Sequence, residues 1–212
     1  MDVVAQQDLW FNTIDTDTLC RGGANGPAHD SQLYAIEKYV KPGMSFLDYG
    51  AGSGTTYEAI LNKWNDMPFK YMGLDVIKKN AEWCNKHFDT NIFFHNEHLH
   101  RIDRFDKSFD VVYSRHVVDH MESFEKAMDE HKRVARELVI VILWVPLSNQ
   151  DNHEIKNIDF RHNGGELFEN EYTNLYSKPK VMEYLKGDSE WELVEFKEKV
   201  GVNDTIIVLK KL

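Results

Sequence analysis

The chain has 212 residues, of which 42% are hydrophobic and 28% charged, enough for one sizeable core with nothing in the length that demands a second domain. Its 25 Lys and Arg against 35 Asp and Glu leave a formal charge of −10 with no clustered basic stripe, which argues against a nucleic-acid partner. No apolar run approaches the roughly eighteen residues that cross a bilayer, the start Met1-Asp2-Val3-Val4-Ala5-Gln6-Gln7 lacks the parts of a secretory signal, and Cys20 and Cys84 share no metal-type spacing, so a cytoplasmic, non-membrane protein with free thiols is expected.

Residues 1–44 show no regular alternation and are read as an N-terminal cap region. From position 45 onward, short apolar runs alternate with amphipathic stretches, the pattern of parallel strands joined by crossover helices. A strand at 45–49 ends in closely spaced glycines, and the helix expected at 55–64 places Tyr57, Ile60, Leu61 and Trp64 on one face. A strand at 71–76, a helix at 78–88 and a short strand at 92–94 lead to a histidine-rich loop. After a fourth strand at 109–113, residues 122–137 carry Phe124, Ala127, Met128, His131, Val134 and Ala135 at helical spacing. The run 138–145 is apolar throughout, as for a central strand covered on both sides, and Pro146 stops it. Residues 147–177 are a polar segment far longer than an ordinary α/β connection and are read as a substrate or lid insertion. A helix at 178–186 then precedes strands at 191–199 and 205–209, joined through Gly201-Val202-Asn203-Asp204 as an antiparallel hairpin. All 212 residues are thus expected to form one α/β domain.

A strand running into Asp48-Tyr49-Gly50-Ala51-Gly52-Ser53-Gly54 lets the backbone approach a ligand closely and aims free amides at it. The strict alternation of Gly50, Gly52 and Gly54, followed by Thr55, departs from the G-x-G-x-x-G of a dinucleotide site, and no Gly-Lys-Ser/Thr follows as a P-loop needs. Asp48, at the tip of a buried strand, requires donors or a cationic ligand. Asp75, at the end of the second strand, is placed to accept hydrogen bonds from both hydroxyls of a ribose. Together the loop and the acid describe a nucleoside site at the carboxyl edge of the sheet, although either alone also fits a loop without a ligand or a helix cap.

Residues 45–54, Ser-Phe-Leu-Asp-Tyr-Gly-Ala-Gly-Ser-Gly, resemble the first motif of the class I S-adenosylmethionine-dependent methyltransferases, in particular the small-molecule, type-11-like domain. Gly73-Leu74-Asp75-Val76 looks like their ribose-binding motif, and 108–121, from Ser108-Phe109-Asp110 to Asp119-His120-Met121, is similar to their fourth-strand segment. This resemblance implies a three-layer, Rossmann-like methyltransferase fold with a mostly parallel seven-stranded sheet, its reversed last strand inserted beside the fifth. It also implies S-adenosylmethionine as cofactor. By position, Asp48, Gly50, Ala51 and Gly52 would form the methionine side of the site, Asp75 would bind the ribose, and Val76 would pack on the adenine. Ser114, followed by Arg115, would offer its backbone to the methionine ammonium. The family often has an acid after the third strand that accepts from the adenine amine; this chain reads Phe94-His95-Asn96-Glu97-His98-Leu99, which makes Glu97, His98 and Leu99 the candidates.

Methyl transfer from a sulfonium needs alignment and exclusion of water, and a protonated oxygen or nitrogen nucleophile also benefits from a general base. His116 and His120, just after the fourth strand, are the candidate bases, with helix capping or packing as the competing role for His120. No metal is expected between them, because Val117 stands where the zinc-protease pattern requires glutamate. Residues 172–178, Tyr-Thr-Asn-Leu-Tyr-Ser-Lys, look like an element of small-molecule relatives. Tyr172 and Tyr176 are therefore substrate candidates beside Arg161, with lid packing the alternative. Arg21 and Arg161 are placed to hold a carboxylate. The function expected is methyl transfer to an unidentified small molecule. A catalytically silent cofactor-binding interaction protein and a nicotinamide-dependent oxidoreductase are the alternatives, and the oligomeric state is left open.

Overall fold

Strands that are apolar on both faces have to be covered on both faces, and helices above and below one sheet meet that demand. The computed structural model describes residues 28–98, 101–121, 123–150, 154–157, 172–201 and 203–212. Its strands are β1 (Ser45–Tyr49), β2 (Lys70–Asp75), β3 (Phe93–His95), β4 (Phe109–Arg115), β5 (Ala135–Leu143), β6 (Glu154–Asn157), β7 (Tyr172–Leu175), β8 (Trp191–Val200) and β9 (Asp204–Lys211). All but β6 and β7 form a seven-stranded sheet in the order β3-β2-β1-β4-β5-β9-β8. Strands β1 to β5 are parallel, and β9 runs antiparallel to both of its neighbours, β5 and β8. This is the mostly parallel sheet with an inserted reversed strand that the motifs imply.

Helices α1 (Ala28–Tyr39), α2 (Thr55–Trp64) and α3 (Lys78–His87) cover one face, setting Ala35, Ile36, Ile60, Ala81 and Cys84 in the same apolar cluster as Phe46, Tyr71, Val111 and Ile140. Helices α4 (Phe124–Val134) and α5 (Lys178–Gly187) cover the other, with Phe124, Met128, Val181 and Leu185 clustered with Leu47, Val112 and Val139. Val139, Ile140, Val141, Ile142 and Leu143 of β5 are fully buried, each contributing roughly 1.5–3 kcal/mol relative to exposure. Helix α5 starts where Ser177 caps it by accepting from the Lys180 amide, with Pro179 in the first turn.

Three expectations are corrected. The helix expected to 137 ends at Val134, and β5 begins at Ala135. Arg136 belongs to the strand, reaching Asp110 Oδ1 at 2.8 Å and Ser45 Oγ at 2.9 Å and so joining the starts of β5, β4 and β1. At its other end β5 stops at Leu143, before Pro146, because the Asp119 carboxylate accepts from the amides of Trp144 (3.3 Å) and Val145 (3.2 Å). Residues 147–177 include the β6–β7 antiparallel ribbon, and residues 1–44 include α1; neither element was anticipated.

Candidate active site

The carboxyl ends of β1, β2 and β4 converge on the glycine loop. Gly50 and Gly52 have φ of +76° and +54°, a left-handed region that side chains rarely adopt. A β-carbon at Gly50 would lie 2.2 Å from a Val117 methyl, so the loop after β1 touches the loop after β4; at Gly52 it would meet nothing within 4 Å. The amides of Gly50 and Ala51 both donate to the Leu74 carbonyl, at 2.8 and 2.9 Å, and the Gly52 amide donates to Asp75 Oδ2 at 2.7 Å. The free amides expected at this loop are therefore already engaged within the protein. A pyrophosphate, which depends on such donors, loses its cradle; what the loop offers is close, Cβ-free backbone.

Asp75, expected at a ribose, is already held by donors of the protein. Its Oδ1 accepts from the Ile77 amide (2.8 Å) and from Asn80 Nδ2 (3.2 Å), in addition to the Gly52 contact on Oδ2. Of the roughly four lone-pair sites of a carboxylate, three are taken and one is left on Oδ2. The expectation that it serves both ribose hydroxyls narrows to one. Burial raises its pKa above the ordinary carboxylate value, with those three donors opposing.

Asp48, expected to need donors or a cationic ligand, has a donor: it faces the α1–α3 layer and accepts from Tyr71 Oη at 2.5 Å. Burial lifts its pKa to about 7. A folded value above the unfolded one means that the fold favours the neutral acid, so stability from this group is present at low pH and is lost as pH rises from about 4 toward 7. Asp48→Asn, which keeps the polar group and abolishes the charge, is expected to raise the thermal unfolding midpoint by a few degrees at pH 8 and by less at pH 5. A gain that does not grow with pH would show that the carboxylate is charged and well paired.

Beyond β3, the buried Asn96 organises the turn, donating to the carbonyls of His98 (2.6 Å) and Arg101 (2.8 Å) and accepting from the Asp103 amide (2.9 Å). The side chains of Glu97 and His98 are exposed beside it, and Val76 is half-buried, its carbonyl 3.2 Å from His95 Nε2. Leu99 lies outside the described residues.

At the end of β4 successive side chains diverge. Ser114 turns to α4, its Oγ 2.9 Å from His131 Nε2, while His131 Nδ1 lies 2.6 Å from the Ala127 carbonyl. A carbonyl only accepts, so Nδ1 carries the proton and Nε2 accepts from Ser114. Burial holds His131 neutral, down to about 4. Arg115 turns to the opposite face, with Nε 3.8 Å from Asp204 Oδ2. His116 takes a φ of +58°, donates its amide to the Ile142 carbonyl at 2.8 Å, and places Nε2 3.1 Å from Asp204 Oδ1. Burial lowers the His116 pKa, with Asp204 opposing. The Trp144 ring neighbours both candidate bases, its centroid 6.5 Å from that of His116 and 6.3 Å from that of His120.

The turn Val118–His120 is clamped from three sides. Asn174 Nδ2 donates to the carbonyls of Asp119 (2.9 Å) and Met121 (2.5 Å), and Tyr176 Oη lies 2.7 Å from those of both Val118 and Met121. Asp119 ties the same turn to the end of β5. Tyr176, expected at the substrate, is corrected to a buried strut: its hydroxyl reaches the turn and its ring packs on Phe124. Tyr172 lies in β7, with its side chain outside the described residues, and Arg161 and Arg21 lie outside them altogether. Sequence reasoning gave no site role to Asp204, Asn96 or Ser31, and saw Asn174 only as part of a resemblance.

Residues 47–143 match the family model described as a methyltransferase domain. Among solved structures, a SAM-dependent methyltransferase from Aquifex aeolicus is 18% identical with TM-score 0.63, over 94% of this chain and 100% of that one. The magnesium protoporphyrin IX methyltransferase of Synechocystis, with bound SAH, is 13% identical with TM-score 0.67 over 100% of both chains. The 1,6-didemethyltoxoflavin-N1-methyltransferase of Burkholderia thailandensis is 13% identical with TM-score 0.61, over 85% of this chain and 76% of that one. None of the curated proteins matches the sequence. Residues 47–143 are thus similar to a methyltransferase domain, and the sheet has the Rossmann-like fold of SAM-dependent methyltransferases.

Proposed function

We propose that the chain is an active S-adenosylmethionine-dependent methyltransferase whose acceptor is a small molecule, with His116 as general base. The observation that supports this reading is the packing of Val117, the residue after His116, against Gly50. The methionine part of the cofactor would lie along Gly50, Ala51 and Gly52, with the Ser114 backbone toward its ammonium. One ribose hydroxyl would bind the remaining site on Asp75, and the adenine would lie by Val76 with Glu97 and His98 at its edge. When bound, the cofactor supplies a methyl group whose carbon–sulfur bond breaks with the electron pair kept by sulfur, so the acceptor must bring its own pair. The protein's part is to align the acceptor, exclude water and remove the acceptor's proton. Trp144 and His120 complete the surface on which the acceptor would lie.

Two solved neighbours are named for small-molecule substrates, magnesium protoporphyrin IX and 1,6-didemethyltoxoflavin, and the charge of −10 disfavours a nucleic-acid acceptor here. The 212 residues are read as one domain, with 1–44 as its cap and 147–177 as its substrate lid. Among the described residues no helix is long and apolar enough to cross a membrane, and a cytoplasmic location is proposed.

Calorimetry with S-adenosylhomocysteine and separately with NAD, followed by a metabolite-library methylation assay, tests the reading. Binding of NAD alone would overturn it, and cofactor binding with no acceptor methylated would leave a silent binding protein. Asp75→Ala is expected to weaken S-adenosylhomocysteine binding by at least about tenfold, since a hydrogen bond to a charged group contributes roughly 1.5–3 kcal/mol. Affinity equal to wild type would remove Asp75 from the ribose site.

A further inference from the structure

Asp204 opens β9 at the carboxyl edge of the sheet, where the next residue, Thr205, pairs with Leu143 at the end of β5. It is 6% exposed, and a carboxylate so placed has to be paired. Its Oδ1 faces His116 Nε2 at 3.1 Å, and its Oδ2 accepts from Ser31 Oγ of α1 at 2.5 Å. Thus one oxygen is held by a helix and the other by the histidine. We propose that Asp204 is the positioning residue for His116, locking the ring with its proton on Nε2 and its Nδ1 lone pair toward the acceptor, which is therefore an alcohol, phenol or amine. The proposal rests on the methyltransferase reading above and names its substrate class.

Three observations support it. A carboxylate only accepts, so the ring nitrogen facing it donates, and the base is the other nitrogen. Nδ1 has no hydrogen-bond partner among the described residues. Finally, His116 sits at φ +58°, a conformation that non-glycine residues rarely adopt, so the surrounding contacts hold this residue in place against backbone strain.

The proton balance follows from the geometry. The acceptor's O–H or N–H bond breaks, and its electron pair stays on the heteroatom to form the bond to the methyl carbon. The proton goes to Nδ1, and the resulting imidazolium faces the Asp204 carboxylate before releasing the proton to solvent. Among the described residues, the charged groups acting on the ring are Asp204 from β9 and Arg115 from β4, while Asp119 and His120 follow in the turn Val118–His120. Arg115 opposes the imidazolium, and Asp204 is the carboxylate in contact with it.

The test is nitrogen NMR of histidine-labelled protein with S-adenosylhomocysteine bound, read with the pH profile of turnover. In the wild type the neutral His116 ring should carry its proton on Nε2. Asp204→Asn should lower the His116 pKa by about 1, shift the acidic limb of the pH profile with it, and cut turnover at pH 7 at least about tenfold; Asp204→Glu should recover part of the loss. Ser31→Ala, which keeps the carboxylate, gives a second variant if Asp204→Asn fails to fold, and should reduce turnover less without reversing the tautomer. A proton on Nδ1 in the wild type, or a His116 pKa unmoved by Asp204→Asn, overturns the proposal. Those results with S-adenosylhomocysteine binding intact remove only the dyad; a wild type that fails to bind S-adenosylhomocysteine removes the methyltransferase reading, and the proposal with it.

Discussion

His116→Ala is expected to lower methyl-transfer turnover about a hundredfold, the lower end of what a positioned general base contributes, while leaving the affinity for S-adenosylhomocysteine as in the wild type. The two readouts separate because the contacts of the ring are with Asp204 and Trp144, while the glycine loop and Asp75 are tied to each other without it. Burial lowers the His116 pKa, so its base form is present at neutral pH, and wild-type turnover should fall as pH drops through that lowered value. The alanine variant should lose this acidic limb. Single-turnover kinetics across pH provide the measurement. Turnover unchanged by the substitution would place the base elsewhere, or show that the acceptor is already deprotonated in solution.

Gly50→Ala should be the most damaging change to cofactor binding, weakening it by about a hundredfold or more and lowering the thermal midpoint as well. Holding alanine at φ +76° costs about 1–2 kcal/mol, and the new methyl overlaps Val117 at 2.2 Å, an overpacking that adds roughly 1–3 kcal/mol. Each 1.4 kcal/mol is about a factor of ten. The double variant Gly50→Ala, Val117→Ala should recover the packing part of the loss but not the backbone part. At Gly52 a methyl meets nothing within 4 Å of the protein, so Gly52→Ala bears only the backbone cost of its φ of +54° and should lower the thermal midpoint less than Gly50→Ala while still weakening binding. Equal effects on stability from both glycines would contradict this division.

The glycine loop, the acid ending β2 and the strand order were legible because each depends on residues close together in sequence. Engagement of the loop amides was not, since Leu74 and Asp75 belong to the next strand over, and only the parallel register puts them under Gly50, Ala51 and Gly52. The boundary at Val134 and Ala135 was hidden because Arg133, Arg136 and Glu137 interrupt the apolar pattern on both sides of it, and β5 is exposed just there. Asp204 looked like one more turn residue. Its meeting with His116, 88 positions away, arises only because β9 is inserted against β5. Asp48 was seen as a charge in need of a partner, but the partner, Tyr71, sits two strand positions from its register mate Gly73 and is reached across the sheet face.

The placement of β9 also governs how the chain is assembled on the ribosome. Strand β5 is the most apolar of the sheet, and its free edge is covered only when β9 arrives, after the β6–β7 ribbon, α5 and β8 have been synthesised. Through that interval a row of unpaired amides and carbonyls on β5 is open to pairing with other chains. Chaperone dependence during synthesis, and aggregation of products truncated before residue 204, are the expected consequences. The same late strand delivers Asp204, so a nascent chain can build its glycine loop well before Asp204 can reach His116.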